Sequence, residues 1–372
     1  MSTRTGAVLQ EPRWCGNVSG GRTCTIAEDP SFPRGVAEST SRTMYDVGLT
    51  LGKFAPFHRG HQALLETALR EVRHLIVIVY EAERTTDMPL SIRAAWIRTR
   101  YPSVEVLEAP AGPEDTGYSP DVMRKQESFL RSFLAGRRID AFYSSEPYGD
   151  HVSRALGCVN RVVDPGRTAV PVSGTMIRAD PWSYRHFLDP NVRADLVLRI
   201  VFVGGPSTGK TTLATALAER LGEPWCPEFG RDYWFEHQVD HRLSMVDLEL
   251  IAREQSALEQ RCAREARRVL VVDTCPLTTW AYARYWFETT SRTLDAVLED
   301  YLRLPRRWWL CDEDIPFDDS PDRSGPASRH AIQRLNIEAL RGHGIGFRTV
   351  SGTLPARIET VLRTEGFTED RA

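Results

Sequence analysis

Lysine is almost missing from this chain. Three of its 47 basic residues, Lys53, Lys125 and Lys210, are lysine, and arginine supplies the rest. A GC-rich genome produces such a skew, and a lysine that survives it marks a place for a compact, strongly hydrated ammonium instead of a planar fork. Long apolar runs are missing too. The longest, Leu75 to Tyr80, falls far short of the roughly 20 residues of a membrane helix. The first dozen residues hold no apolar stretch like that of a secretory signal. No membrane partner is expected. There is no excess of one charge either: the net charge is −3, which argues against nonspecific binding to nucleic acid as the main task. Paired cysteines are absent. The seven (positions 15, 24, 158, 226, 262, 275 and 311) are odd in number and scattered, with no C-x-x-C. That excludes a disulfide framework or zinc ribbon and predicts reduced thiols in a cytoplasmic protein.

What remains is an average soluble composition, 41% hydrophobic and 26% charged, over 372 residues. That length suits two domains. Residues 1–44 are rich in Ser, Thr, Gly, Pro and Arg without periodicity; they read as a disordered leader, and no helix-turn-helix is visible there. Strands are predicted at Val47–Leu51, His74–Tyr80, Val104–Leu107 and Ala141–Tyr143. Helices are predicted at Gly60–Val72, Leu90–Arg100 and Met123–Ala135. A second alternation begins with a strand at Leu198–Val203 and a helix at Thr211–Leu221. It goes on through a long helix at Met245–Arg268 and strands at Val269–Val272 and Trp308–Cys311. Such alternation predicts two doubly wound parallel-sheet α/β domains in series, at 45–190 and 197–372, with a turn at Asp189-Pro190 near their boundary.

The run Gly52-Lys53-Phe54-Ala55-Pro56-Phe57-His58-Arg59-Gly60-His61 joins the first strand to the first helix. In an open α/β sheet, ligands bind at that carboxyl edge, and a helix N-terminus there suits phosphate. Imidazoles three residues apart share one side of the first turn. Gly60 lets a nucleotide come close to the backbone. A surface pair or a metal pair is the alternative, and the metal option lacks a third ligand at metal spacing.

The segment resembles the (H/T)-x-G-H signature of the nucleotidylyltransferase superfamily. The second signature of that superfamily, S-x-T-x-x-R, is matched by Ser173-Gly174-Thr175-Met176-Ile177-Arg178. The resemblance implies a Rossmann-like domain in which a nucleophile attacks the α-phosphate of ATP and expels pyrophosphate. That chemistry needs alignment and charge neutralisation and no covalent intermediate. Histidines donate hydrogen bonds and can be protonated near neutrality. Arg178 would hold the β- and γ-phosphates as a fork. Ser173 and Thr175 could instead cap the next helix.

Gly204-Gly205-Pro206-Ser207-Thr208-Gly209-Lys210-Thr211-Thr212 follows an apolar strand and opens a helix, the context a P-loop requires. Its N–H groups would wrap phosphates, with Lys210 on the β- and γ-phosphates and Thr211 on Mg²⁺. Asp273, after Val269–Val272, is the expected carboxylate of the magnesium shell. Between them, Glu228-Phe229-Gly230-Arg231-Asp232-Tyr233-Trp234 offers aromatics for a ring, Arg231 as donor, and Glu228 or Asp232 as base for an attacking hydroxyl. A capped amphipathic helix is the alternative. The acidic, Pro-interrupted run from Asp312, with Arg323 and then Arg329, resembles a kinase lid; a solvated loop is its alternative. His237 and His241 form H-x-x-x-H, but Gln238 replaces the glutamate a zinc protease needs, which discounts that reading.

A nucleotidylyltransferase followed by a P-loop kinase is similar to the NadR family of nicotinamide-nucleotide adenylyltransferases fused to ribosylnicotinamide kinases. The likeness spans residues 46 to about 365. It includes Ser144-Ser145-Glu146-Pro147-Tyr148-Gly149, Val163-Asp164-Pro165-Gly166-Arg167, the 228–233 run and Asp273 to Thr279. It implies phosphorylation of nicotinamide riboside by Mg-ATP, then adenylyl transfer to nicotinamide mononucleotide, giving NAD and pyrophosphate. It assigns His58, His61, Ser173, Thr175 and Arg178, with Gly52, Lys53 and Phe54, to adenylyl transfer. Gly209, Lys210, Thr211 and Asp273 go to the kinase, and Glu228, Arg231, Asp232 and Tyr233 to the riboside pocket. Some members carry a DNA-binding helix-turn-helix; the leader here does not resemble one, so repression is not expected. Residues 81–87 and 111–120 show no motif. Two other readings stay open: a kinase regulated by a catalytically weak first domain, and a nucleotide sensor without turnover. The retained histidines, Arg178, Lys210 and Asp273 argue against the sensor. Homo-oligomerisation is left open.

Overall fold

Residues 75–80 read Leu-Ile-Val-Ile-Val-Tyr, and alternate side chains enter opposite cores: Leu75, Val77 and Val79 on one face, Ile76, Ile78 and Tyr80 on the other. A strand apolar on both faces must be covered by helices on both, the condition of a doubly wound parallel sheet. The computed structural model describes residues 44–113, 117–240, 242–318 and 326–367. The leader expected over 1–44, apart from Met44, and the candidates His241 and Arg323 lie outside the described residues.

The first half runs β1 (Tyr45–Gly52), α1 (Arg59–Leu69), β2 (Val72–Tyr80), α2 (Leu90–Arg100), β3 (Glu105–Ala109), α3 (Pro120–Phe133), β4 (Ala141–Ser144), α4 (Gly149–Leu156), β5 (Val159–Val162) and α5 (Gly174–Ala179). Its strands form one sheet in the order β3-β2-β1-β4-β5. Then α6 (Pro190–Asp195) leads into β6 (Leu198–Val203), α7 (Lys210–Leu221), β7 (Trp225–Cys226), α8 (Phe229–His237), α9 (Met245–Glu265), β8 (Val269–Asp273) and α10 (Pro276–Phe287). The rest is α11 (Arg292–Leu302), β9 (Arg307–Cys311), α12 (Pro326–Gly342), β10 (Phe347–Val350) and α13 (Leu354–Glu365). The second sheet has the order β10-β9-β6-β8-β7. Every strand pair in both sheets is parallel. Along β6, Val201 and Val203 pack into one core and Ile200 and Phe202 into the other. The fold is therefore two doubly wound α/β sheets in series.

The order of each sheet reverses beside its central strand, between β1 and β4 in the first and between β6 and β8 in the second. Crevices open at such switch points. The Asp189-Pro190 turn proves to be the start of α6, with the proline in the first helical turn, where its missing N–H costs nothing. Sequence patterning does not reveal β5, because three of its four residues are exposed and it has no apolar run. Among the described residues no helix is long and apolar enough to cross a membrane.

Candidate functional sites

The first crevice, about 890 Å³, is bordered by all eight residues expected there: Gly52, Lys53, Phe54, His58, His61, Ser173, Thr175 and Arg178. His58 is the N-cap of α1, and its Nδ1 accepts the N–H of Gly60 at 3.1 Å. His61 Nδ1 accepts the N–H of His58 at 3.3 Å, closing a capping box. Their rings stack, with centroids 3.8 Å apart. Both Nδ1 atoms are acceptors, so a neutral ring carries its proton on Nε2. Burial, and then the charge of Arg167, holds His58 down to about 4. Burial, His58 and Arg167 together hold His61 well below its ordinary value. Protonation near neutrality, which the sequence allows, is thereby corrected: these are neutral Nε2–H donors, because a charged imidazole loses too much hydration here.

Arg178 on α5 donates to the Ala55 carbonyl and, at 3.1 Å, to Thr175 Oγ1, which sets the second signature against the first. Ser173 Oγ accepts the N–H of Met176 at 3.2 Å and caps α5. Its capping alternative is the contact observed. Lys53 Nζ donates to Thr85 Oγ1 at 3.2 Å. Behind it, fully buried Arg93 donates to the carbonyls of Lys53, Tyr80 and Met88 and to Glu81. This brace on the loop leaves no local signal in the sequence, since its partners come from three separate segments, at 53, 80–81 and 88.

In the second half, β6 runs into a loop with Gly204 at φ 141° and Gly209 at φ 80°, conformations open to glycine. Lys210 is buried, with Nζ donating to the carbonyls of Gly204 (3.1 Å) and Gly205 (2.8 Å). Thr208 Oγ1 donates to Gly205 at 2.8 Å. Pro206 and Ser207 border a narrower slot of about 90 Å³. Thr212 is exposed on α7. Two distant side chains set the loop. Gln333 accepts the Gly205 N–H at 2.7 Å, and Arg357 donates to the Thr208 carbonyl at 2.7 Å.

Thr211 Oγ1 donates to Asp273 Oδ2 at 2.6 Å. Asp273 Oδ1 is buried without a hydrogen-bond partner. Burial, and then the neighbouring carboxylate of Glu228, pushes Asp273 up to about 6. Glu228 pairs with Arg231 at 2.9 Å, and both border the slot with Lys210. Asp232 and Tyr233 do not border it. Asp232 is exposed, and Tyr233 stacks on His237 and donates to Asp247 at 2.7 Å. Glu228 precedes α8 as its N-cap, and at 100° per residue the helix that turns 231 and 234 inward sends 232 and 233 elsewhere. Their placement in the pocket is corrected. Arg329 on α12 is buried, donates to the Ile315 carbonyl at 2.9 Å, and lies against the P-loop, its own carbonyl beside Gly205. From the same acidic loop, Asp318 N–H donates to Ser207 Oγ at 2.7 Å. Among the described residues no three His, Cys, Asp or Glu side chains gather as a metal cage.

Residues 49–180 match the cytidylyltransferase-like family and residues 199–357 an AAA domain. The trifunctional NAD biosynthesis/regulator protein NadR of Salmonella typhimurium strain LT2 is 26% identical over 332 residues, 82% of this chain and 79% of that protein. Its Escherichia coli K12 counterpart is 26% identical over 331 residues, 81% and 78% of the two chains. Both halves thus align, in order, with single proteins. The chain belongs to the NadR family. It is an enzyme with a nucleotidyltransferase half and a kinase half. The crystal structure of a NadR protein in complex with NAD and AMP-PNP has the same fold, with a TM-score of 0.53 at 19% identity, covering 88% of this chain and 98% of that one. A NadR complex with NR gives 0.53 and 19% over 87% and 97%.

Within this NadR-family chain, sequence reasoning missed Tyr282 and Trp286, which border the slot with Thr278, Thr279 and Trp234. The steps 278, 282, 286 follow one helix face, a signal present in the sequence. In the first half, Tyr118 and Gln126 border the large crevice, and so do Thr85, Pro113 and Gly117 from the two segments without motifs.

Proposed function

We propose that this enzyme makes NAD in two steps from nicotinamide riboside and ATP. The observation that carries the reading is the presence, on one chain, of a P-loop cluster beside an aromatic slot and a histidine-lined crevice at a second switch point. In the first step, the riboside ring lies against Trp234, Tyr282 and Trp286. Glu228 takes the proton of the 5′-hydroxyl as its oxygen bonds to the γ-phosphorus and the bond to ADP breaks. P-loop N–H groups and Lys210 hold the phosphates, and Arg231 and Arg329 stabilise the charge that moves. Thr211 and Asp273 are hard oxygen donors, and with the unpartnered Asp273 Oδ1 they are the residues that would hold Mg²⁺. Bound there, Mg²⁺ would supply charge neutralisation for phosphoryl transfer.

In the second step, a phosphate oxygen of nicotinamide mononucleotide attacks the α-phosphorus of ATP, and pyrophosphate leaves. The Nε2–H groups of His58 and His61 donate to the α-phosphate, while Arg178, Lys53 and the N–H groups opening α1 and α5 hold the leaving group. Phe54 and Gly52 shape the wall, and Ser173 and Thr175 place Arg178. We place the reaction in the cytoplasm, where free thiols such as those of Cys226 and Cys275 stay reduced.

A product assay tests this. Purified protein with Mg-ATP receives nicotinamide riboside in one tube and nicotinamide mononucleotide in another. Mononucleotide plus NAD from the first, and NAD from the second, is expected. Mononucleotide without NAD would make the first half regulatory; no product, with ATP bound, would overturn the reading.

A further inference from the structure

Gln255 of α9 spends both ends of its amide on the turn that carries Glu228. Its Oε1 accepts the N–H of Phe229 at 2.8 Å. Its Nε2 donates to the Pro227 carbonyl at 3.1 Å and lies 3.4 Å from Cys226 Sγ. The side chain is 2% exposed and borders the slot. Glu228 is the N-cap residue of α8, yet its side chain makes no cap hydrogen bond. The N–H of Phe229 is one of the donors a helix start leaves orphaned, and here a different helix satisfies it. Pro227 C=O belongs to the peptide before Glu228 and Phe229 N–H to the peptide after it. With both peptides tied to one buried amide, the backbone of Glu228 has little freedom left, and its carboxylate stays on the slot side of α8 beside Arg231.

We infer that Gln255 is a positioning residue for phosphoryl transfer, acting through Glu228. The inference rests on the proposed role of Glu228. Such a residue contributes by holding a reacting group in place, and a displacement of about 1 Å can cost on the order of 100-fold in rate. Both polar atoms of Gln255 are engaged on the turn, so its effect reaches the reaction through the residue that turn holds.

The test is a double-mutant cycle on the full chain, measuring mononucleotide formation from the riboside. Gln255→Met keeps length and volume but can neither accept from Phe229 nor donate to Pro227. We expect kcat to fall roughly 10- to 100-fold, with the KM for ATP in the kinase step and NAD formation from supplied mononucleotide both within about twofold. Glu228→Gln should be slow as well, and the double variant no more than about threefold slower than Glu228→Gln alone, since two residues acting as a unit are non-additive. Multiplying losses, or a KM for ATP that rises as kcat falls, would overturn the inference and make Gln255 a general support. A Glu228→Gln variant that keeps full kcat would overturn it too, and would remove Glu228 as base while NAD production stood. Should Gln255→Met fail to fold, Gln255→Glu enters the same cycle: it keeps the acceptor for Phe229 and loses the donor to Pro227.

Discussion

Thr211 Oγ1 and Asp273 Oδ2 are 2.6 Å apart, which ties the first turn of α7 to the carboxyl end of β8. The two positions are 62 residues apart in the chain and adjacent in space because β6 and β8 pair directly. The hydroxyl occupies one carboxylate oxygen and leaves the other, buried Oδ1 without a partner. Asp273 is thereby held in one rotamer beside the P-loop.

Asp273→Asn should lower riboside phosphorylation by roughly 100-fold or more, the scale for removing a group aimed at transition-state charge. NAD formation from supplied mononucleotide should stay within about twofold, because the other crevice does not use this residue. Rates of both half-reactions on one preparation check it.

Arg178→Lys should act in the opposite half. A lysine cannot keep both the Ala55 carbonyl and Thr175 Oγ1 while also presenting a fork to the leaving phosphates. The kcat/KM for ATP in adenylyl transfer should fall about tenfold or more, with riboside phosphorylation unchanged. Steady-state kinetics of the two half-reactions decide it.

His58 links stability to pH. Its folded value of about 4 lies below the ordinary 6.5, so between these values the unfolded chain binds more protons. Stability from keeping this ring neutral is present above 6.5 and is lost as pH falls toward 4. His58→Asn keeps an N-cap acceptor and removes the titration. Its melting temperature should drop less between about pH 7 and about pH 5 than that of the parent chain, measured by thermal unfolding at both values.

A methyl group at position 205 would sit 2.4 Å from the Arg329 carbonyl oxygen. Two backbones meet there, and neither has a flexible end to move aside. Gly205→Ala should cost about 1–3 kcal/mol in this packing, read as a raised KM for ATP in riboside phosphorylation with adenylyl transfer unaffected.

Much of the architecture was written locally. Alternating apolar strands and helices, Gly-rich turns after β1 and β6, and a carboxylate after β8 suffice to announce two parallel sheets and to nominate two candidate phosphate sites, because each signal fits within about ten residues. The candidate pair His58 and His61 rests on their spacing at a strand-to-helix turn together with the resemblance to the (H/T)-x-G-H signature. The sequence could not say that these rings are neutral, since that follows from burial and from Arg167, about a hundred residues on. Nor could it choose among Glu228, Asp232 and Tyr233, which depends on how α8 is rotated against α9 and α10. Arg93, Gln255, Gln333 and Arg357 hold the site loops through contacts that cross whole elements. Local pattern determined which chemistry the chain carries. Tertiary packing decided protonation, orientation and support, because those depend on neighbours that only the folded chain brings together.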